Sequence, residues 1–208
     1  MRVDIWSDIV CPWCYIGKRR FEKALAGFER RNELQVVHRS FQLDPTMPKG
    51  QLFRHRDVLM GKYGMTEPQV AAAQSRLVEL AATEGLEYHL SRSYTGNTLD
   101  AHRLVHHAAG QGLQDAMIER LFRAHFTELK SIFDNESLTA LAEEVGLTGS
   151  KEVLTSDAYA ADVVTDHGEA NRLGASGVPF FLIDGRYGIS GAQATEVFAG
   201  AIRTAAPR

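Results

Sequence analysis

Cys11 and Cys14 are the only two cysteines in the 208-residue chain, and Pro12-Trp13 separates them. The pair stands where a β-like run, Val3 to Val10, gives way to a helical pattern. Two thiols at that spacing can close a disulfide and reopen it. Exchange proceeds through a thiolate that attacks a disulfide sulfur, so one of the two must sit where the anion is favoured. A helix N-terminus supplies that environment through its unpaired N–H groups and the positive end of the macrodipole. Pro12 suits the first helical turn, where its missing N–H has no partner to lose. Cys11 is therefore expected to be the exposed nucleophile. Cys14, one turn on and facing the same side, is expected to be the more buried resolving thiol.

Other uses of the pair fit less well. A structural zinc site needs four Cys or His ligands, and the chain has no second CxxC motif. A static disulfide across so short a loop would constrain the unfolded chain little. His102 and His106 are spaced as two ligands on one helix face, but without the glutamate of a zincin motif they read as a polar helix face. No metal site is expected. Asp4 and Asp8 are the carboxylates near enough in sequence to take the Cys14 proton, and the residues alone do not choose between them.

The elements that must position the thiols follow from periodicity. Ile16 to Arg31 carries Phe21, Leu25 and Phe28 at helical spacing, with Asn32 as its expected end, and Leu34 to Phe41 is β-like. A strand, helix and strand in this order predict a right-handed βαβ unit. Pro45, Pro48 and Gly50 mark a break. From Thr66 to Ala175 the pattern is almost wholly helical, with expected caps at Thr66, Asn97-Thr98, Ser137 and Ser150 or Ser156. Strand character returns at Val178 to Ile183, turns at Asp184-Gly185-Arg186 and continues to Ser190 as a hairpin. Ala192 to Thr204 reads as the last helix.

Composition sets the class. Hydrophobic residues make up 44% and charged residues 24%, with a net charge of −3, which is an ordinary globular balance. That charge gives no reason to expect nucleic acid or an anionic membrane as partner. No basic region followed by an apolar stretch precedes the first strand, so a cytoplasmic location is expected. There a CxxC pair is more often catalytic than structural.

Five stretches together carry a resemblance. They are Ser7-Asp8 ahead of Cys11-Pro12-Trp13-Cys14, then Phe41-Gln42-Leu43-Asp44-Pro45, then Asn97-Thr98 with Ala101-His102-Arg103-Leu104. Gly177-Val178-Pro179-Phe180-Phe181 and Ser190-Gly191-Ala192-Gln193 complete the set. In this order they resemble the DsbA-type branch of the thioredoxin superfamily, specifically FrnE-type oxidoreductases. The expected fold is α/β: a thioredoxin-like four-stranded mixed sheet with a large all-helical insertion. Residues 1–47 and 157–208 would form the thioredoxin-like domain and residues 48–156 the insertion. The resemblance implies that Pro179 follows a cis peptide bond in a loop facing the thiols, so that Pro12, Trp13, Val178 and Pro179 make up the active-site loops. It would set the Val178 backbone beside Cys11, where an extended substrate could pair as an added strand. It also suggests that Asn97 and Phe180 approach a substrate groove, with the insertion as one wall.

The expected activity is thiol-disulfide exchange with a disulfide- or thiol-bearing protein or small molecule. It needs no metal or organic cofactor, and a low-molecular-weight thiol can act as co-substrate. Two rivals share the architecture: an enzyme similar to kappa-class glutathione transferase or 2-hydroxychromene-2-carboxylate isomerase, and a small-thiol-dependent reductase in secondary metabolism. Isomerase relatives generally use serine where Cys11 stands, and Cys14 would serve them no purpose. A non-catalytic binding module or chaperone is the third.

Overall fold

The structure is a computed structural model that describes residues 1–206. Its chain contacts define two compact units: Met1–Leu43 with the segment from Tyr159 onward, and Asp44–Ala158. The boundaries expected after residues 47 and 156 lie instead after Leu43 and Ala158.

The first unit is built on a four-stranded sheet. Its elements are β1 (Arg2–Ser7), α1 (Pro12–Ala26), β2 (Gln35–Ser40), α8 (Ala160–Arg172), β5 (Phe180–Ile183), β6 (Tyr187–Ser190) and α9 (Thr195–Ala205). The strand order is β2-β1-β5-β6, with β1 parallel to β2 and the other pairs antiparallel. Strand alternation decides which residue faces which layer. Val3, Ile5, Phe181 and Ile183 point to one face, where they pack with Phe21 and Ala24 of α1 and Phe198 and Ile202 of α9. Trp6 and Phe180 point to the other face, with Phe41, Ala170 and Ala175. The Trp6 indole N–H donates to the Asp166 carbonyl at 2.9 Å, so this buried side chain carries no unpaired donor.

The hairpin between β5 and β6 turns at Asp184 and Gly185, both left-handed (φ 48° and 65°). Such turns match the right-handed twist of paired strands, and the types Asp and Gly tolerate that backbone. Asp184 also ties the hairpin to β1, accepting from the Arg2 N–H at 2.6 Å.

The first helix is shorter than its periodicity suggests. It ends at Ala26, where the Gly27 N–H donates to the Leu25 carbonyl, and Arg31–Glu33 forms a separate 3-10 turn. Phe28 still packs on the sheet core from beyond the helix, which is why the apolar spacing overran the end.

The second unit holds β3 (Phe53–Arg54), α2 (His55–Tyr63), α3 (Glu67–Thr83), β4 (Tyr94–Thr95), α4 (Leu99–Ala109), α5 (Gln114–Arg123), α6 (Asn135–Glu144) and α7 (Ser150–Leu154). It is mostly helical, with one addition: β3 and β4 pair as a two-residue antiparallel ladder. The cap of α6 is Asp134, which accepts from the Ser137 N–H at 2.8 Å; Ser137 is the donor rather than the cap. His102 does not lie on a polar face as expected. It is 1% exposed, beside the buried Leu104 and Val105 of α4. Arg103 is also buried and donates to the Ala158 carbonyl at 2.7 Å and to Asp100 at 2.8 Å. Among the described residues no helix is long and apolar enough to cross a membrane. Nor do three His, Cys, Asp or Glu side chains gather among them as a metal site.

Candidate active site

Ser7 ends β1, and the chain turns so that the Cys11 N–H donates to the Asp8 carbonyl at 3.0 Å. Cys11 is the residue that caps α1, with extended backbone (φ −88°, ψ 111°), and Pro12 occupies the first turn. The Cys14 N–H then donates to the Cys11 carbonyl at 3.0 Å, closing that turn. The strand-to-helix junction therefore sets Cys11 where a thiolate meets the open N–H groups of α1.

Opposite stands the loop before β5. The Val178–Pro179 peptide bond is cis, and the Val178 carbonyl lies 3.6 Å from the Cys11 sulfur, within reach of an S–H donor. Both cysteines are free thiols. Cys11 is not the exposed group anticipated from its position: it is 4% exposed, against 2% for Cys14. The physical reason is the loop, whose carbonyl receives the thiol. Trp13 points outward and is 43% exposed, while Pro12 is buried.

The surroundings of Cys14 act on its thiol. Burial pushes the Cys14 thiol well above its ordinary value, and the neighbouring Cys11 and the Asp8 charge push the same way. A hydrogen bond from the Asp8 backbone opposes them. Cys14 thus holds its proton until something accepts it, as suits a thiol that acts second.

The two candidate carboxylates have separate surroundings. Asp4 is occupied: it accepts from Arg2 Nε at 2.9 Å and Nη2 at 2.7 Å, and from Arg39 Nε at 2.9 Å. Arg39 also donates to Asp166 at 2.9 Å, so Asp4 belongs to an ion-pair network on the α8 face of the sheet. Asp8 is buried and its charge acts on Cys14. One of its oxygens, Oδ2, accepts from the Leu43 N–H at 2.8 Å.

Two further expectations need correction or restatement. Phe180 is 8% exposed and packs in the sheet core. It pairs with Trp6 in the sheet register, with ring centroids 5.8 Å apart, because an even position on β5 points to the α8 side. Asn97 works within the insertion as a brace: Oδ1 accepts from the Leu99 N–H at 2.9 Å and Nδ2 donates to the Met47 carbonyl at 2.7 Å.

Two residues further along α1 escaped the reading of motifs. Gly17 lies under Pro179, and a Cβ placed there would come 2.9 Å from Pro179 Cγ. Arg20, one turn on, donates to the Ala192 carbonyl at 2.8 Å. A glycine inside a helix is a signal in its own right, since it costs about 1 kcal/mol relative to alanine. Arg20 carried no such mark.

The family model of the DSBA-like thioredoxin domain matches residues 2–203 of this chain. The protein YwbO of Bacillus subtilis (strain 168) is 31% identical over 209 residues, covering 97% of this chain and 96% of its own. The crystal structure of a probable DsbA oxidoreductase from Streptomyces coelicolor superposes with a TM-score of 0.95 at 46% identity, covering 100% of this chain and 92% of that one. The cytosolic disulfide reductase DsbM from Pseudomonas aeruginosa shares the fold at a TM-score of 0.67 and 22% identity, over 98% of each chain.

Proposed function

We propose that this chain, which belongs to the DSBA-like thioredoxin domain family, catalyses thiol-disulfide exchange with Cys11 as nucleophile and Cys14 as resolving thiol. The observation that carries the reading is the Cys11 sulfur at the mouth of α1, 3.6 Å from the Val178 carbonyl, with Cys14 one turn behind. The Streptomyces coelicolor protein, 46% identical over the whole chain, supports the same activity. Within the family we place the chain beside the FrnE-type enzymes on the five stretches set out above.

In the reducing direction, the Cys11 thiolate attacks one sulfur of a substrate disulfide. The S–S bond breaks, the leaving sulfur takes a proton, and the captured half remains as a mixed disulfide on Cys11. Cys14 then gives its proton to the Asp8 carboxylate and attacks the Cys11 sulfur. The substrate leaves as its second thiol, and the enzyme is left with a Cys11–Cys14 disulfide. Two molecules of a low-molecular-weight thiol restore the dithiol and leave as their own disulfide. Every step runs equally in reverse, so the direction follows the potential of the surrounding thiol pool. Our reading sets the reaction in the cytoplasm, where that pool favours reduction.

Asp8 rather than Asp4 is the proton acceptor in this scheme, because the Asp8 charge acts on Cys14 while both Asp4 oxygens are held by guanidinium groups. An extended substrate pairs with the Val178 backbone as it approaches Cys11.

Insulin reduction separates this from the rival readings. The wild type is expected to turn over. Cys11→Ser is expected to be inactive, and Cys14→Ser to accumulate a mixed disulfide that mass spectrometry assigns to Cys11. Isomerase activity that survived both substitutions, or insulin reduction that survived Cys11→Ser, would overturn the proposal.

A further inference from the structure

The face of α1 behind the two thiols is shaped to receive the loop that stands opposite them. Gly17 is buried, and an added Cβ would meet Pro179 Cγ at 2.9 Å and both Ala192 Cα and Cβ at 3.5 Å. The first separation is shorter than real side chains tolerate, and Pro179 is a rigid ring in a loop rather than the end of a flexible chain. Gly17 therefore leaves a recess that the ring fills.

Beyond the recess the loop is held by two further bonds. The Gly191 N–H donates to the Pro179 carbonyl at 2.8 Å, which joins the start of β5 to the residue after β6. Arg20 Nη1 donates to the Ala192 carbonyl at 2.8 Å, which joins the residue next to Gly191 to α1. A continuous path results: Arg20 to Ala192, Gly191 to Pro179, Pro179 into the Gly17 recess, and Val178 to the Cys11 sulfur at 3.6 Å. Helix and loop are thus registered to each other independently of the thiols.

We propose that Gly17 and Arg20 are positioning residues, which seat the Val178–Pro179 loop on α1 and so set the distance between the Val178 backbone and Cys11. Neither supplies a reacting sulfur. Their effect is selective for the kind of substrate, and here the inference rests on the reading that an extended polypeptide pairs with Val178. A peptide disulfide must satisfy the backbone of Val178 and the Cys11 sulfur together, so it senses a displaced loop. A small aromatic disulfide without a peptide backbone needs the sulfur alone.

The test compares exchange with insulin and with dithiobis-nitrobenzoate in four proteins: wild type, Gly17→Ala, Arg20→Met and Arg20→Lys. Gly17→Ala is expected to lower kcat/KM for insulin by about tenfold or more, the scale of a misplaced reacting geometry, and to leave the small disulfide within about twofold. Arg20→Met removes the bond to Ala192 without adding bulk to the recess, and is expected to show the same selectivity at smaller size, with Arg20→Lys restoring part of it. Thermal unfolding reports on each variant, so Arg20→Met carries the test even if Gly17→Ala folds poorly. Equal loss with both disulfides, or no loss with either, in a folded Arg20→Met protein would overturn the proposal while leaving the oxidoreductase reading in place. A wild type inactive towards both disulfides would overturn the two together.

Discussion

At the scale of single residues, the division of labour proposed for the thiols rests on surroundings rather than on exposure. Cys11 and Cys14 are buried almost equally, yet one caps a helix against a carbonyl and the other sits behind it with its thiol pushed upward. A second thiol held as S–H needs a base, and in the proposed scheme that base is Asp8. Asp8→Asn keeps an oxygen that can accept from the Leu43 N–H but cannot take a proton. It is expected to slow release of the mixed disulfide at neutral pH by about 100-fold, the lower range of general-base effects. Formation of the mixed disulfide should change little. Asp4→Asn should leave both steps nearly intact and cost stability instead, through the loss of its pairing with Arg2 and Arg39. Stopped-flow measurement of the two steps distinguishes the residues, and a larger kinetic loss in Asp4→Asn would reverse the assignment.

At the scale of elements, helix ends decide much of the architecture. The N-terminus of α1 carries the thiol pair, and that of α6 is closed by Asp134, which accepts from the Ser137 N–H and from the Ser131 hydroxyl. Removing such a cap costs about 1 kcal/mol. Asp134→Ala is therefore expected to lower the free energy of unfolding by about that amount in urea. The Asp134 carboxyl is held below its ordinary value by these donors, against an opposing effect of burial. Its contribution is therefore present above the unfolded pKa and lost as the pH falls through the folded one. An Asp134→Ala variant as stable as the wild type at neutral pH would remove the cap from the account.

At the scale of the whole molecule, a buried thiol and a half-buried imidazole are expected to shape stability from opposite sides of neutrality. Cys14 is raised by burial, by Cys11 and by the Asp8 charge. In the reduced protein its contribution is complete below the unfolded thiol value, near about 8.5, and is lost as the pH climbs towards the folded value. His55 is lowered by burial. Its contribution is complete above the unfolded value, near about 6.5, and is lost as the pH falls through the folded value. Denaturation profiles of the reduced protein are expected to decline in both windows. Cys14→Ala should flatten the alkaline side and His55→Phe the side just below neutrality. An alkaline decline unchanged by Cys14→Ala would show that another group carries it.

The chain read as letters determined the thiol pair, the strand-helix junction that presents it, and the order of elements that makes a mixed sheet interrupted by helices. These are local matters. Periodicity places faces, proline and glycine place turns, and two cysteines three positions apart on a helix must meet. The helix caps were legible only in part, because Ser137 and Asp134 both carry capping side chains and the choice depends on which N–H is nearest. What tertiary structure alone decided is which distant residues share the site. Asp4 and Asp8 are alike in type and both close to Cys11 in sequence. The fold brings Arg39 across from β2 to hold the first, and buries the second where its charge acts on Cys14. Phe180 falls to the core because strand pairing sets its parity. Gly17 gains meaning only when Pro179, more than 160 residues further along the chain, is laid against it. Contacts of that range depend on how the chain closes on itself, and no local pattern encodes them.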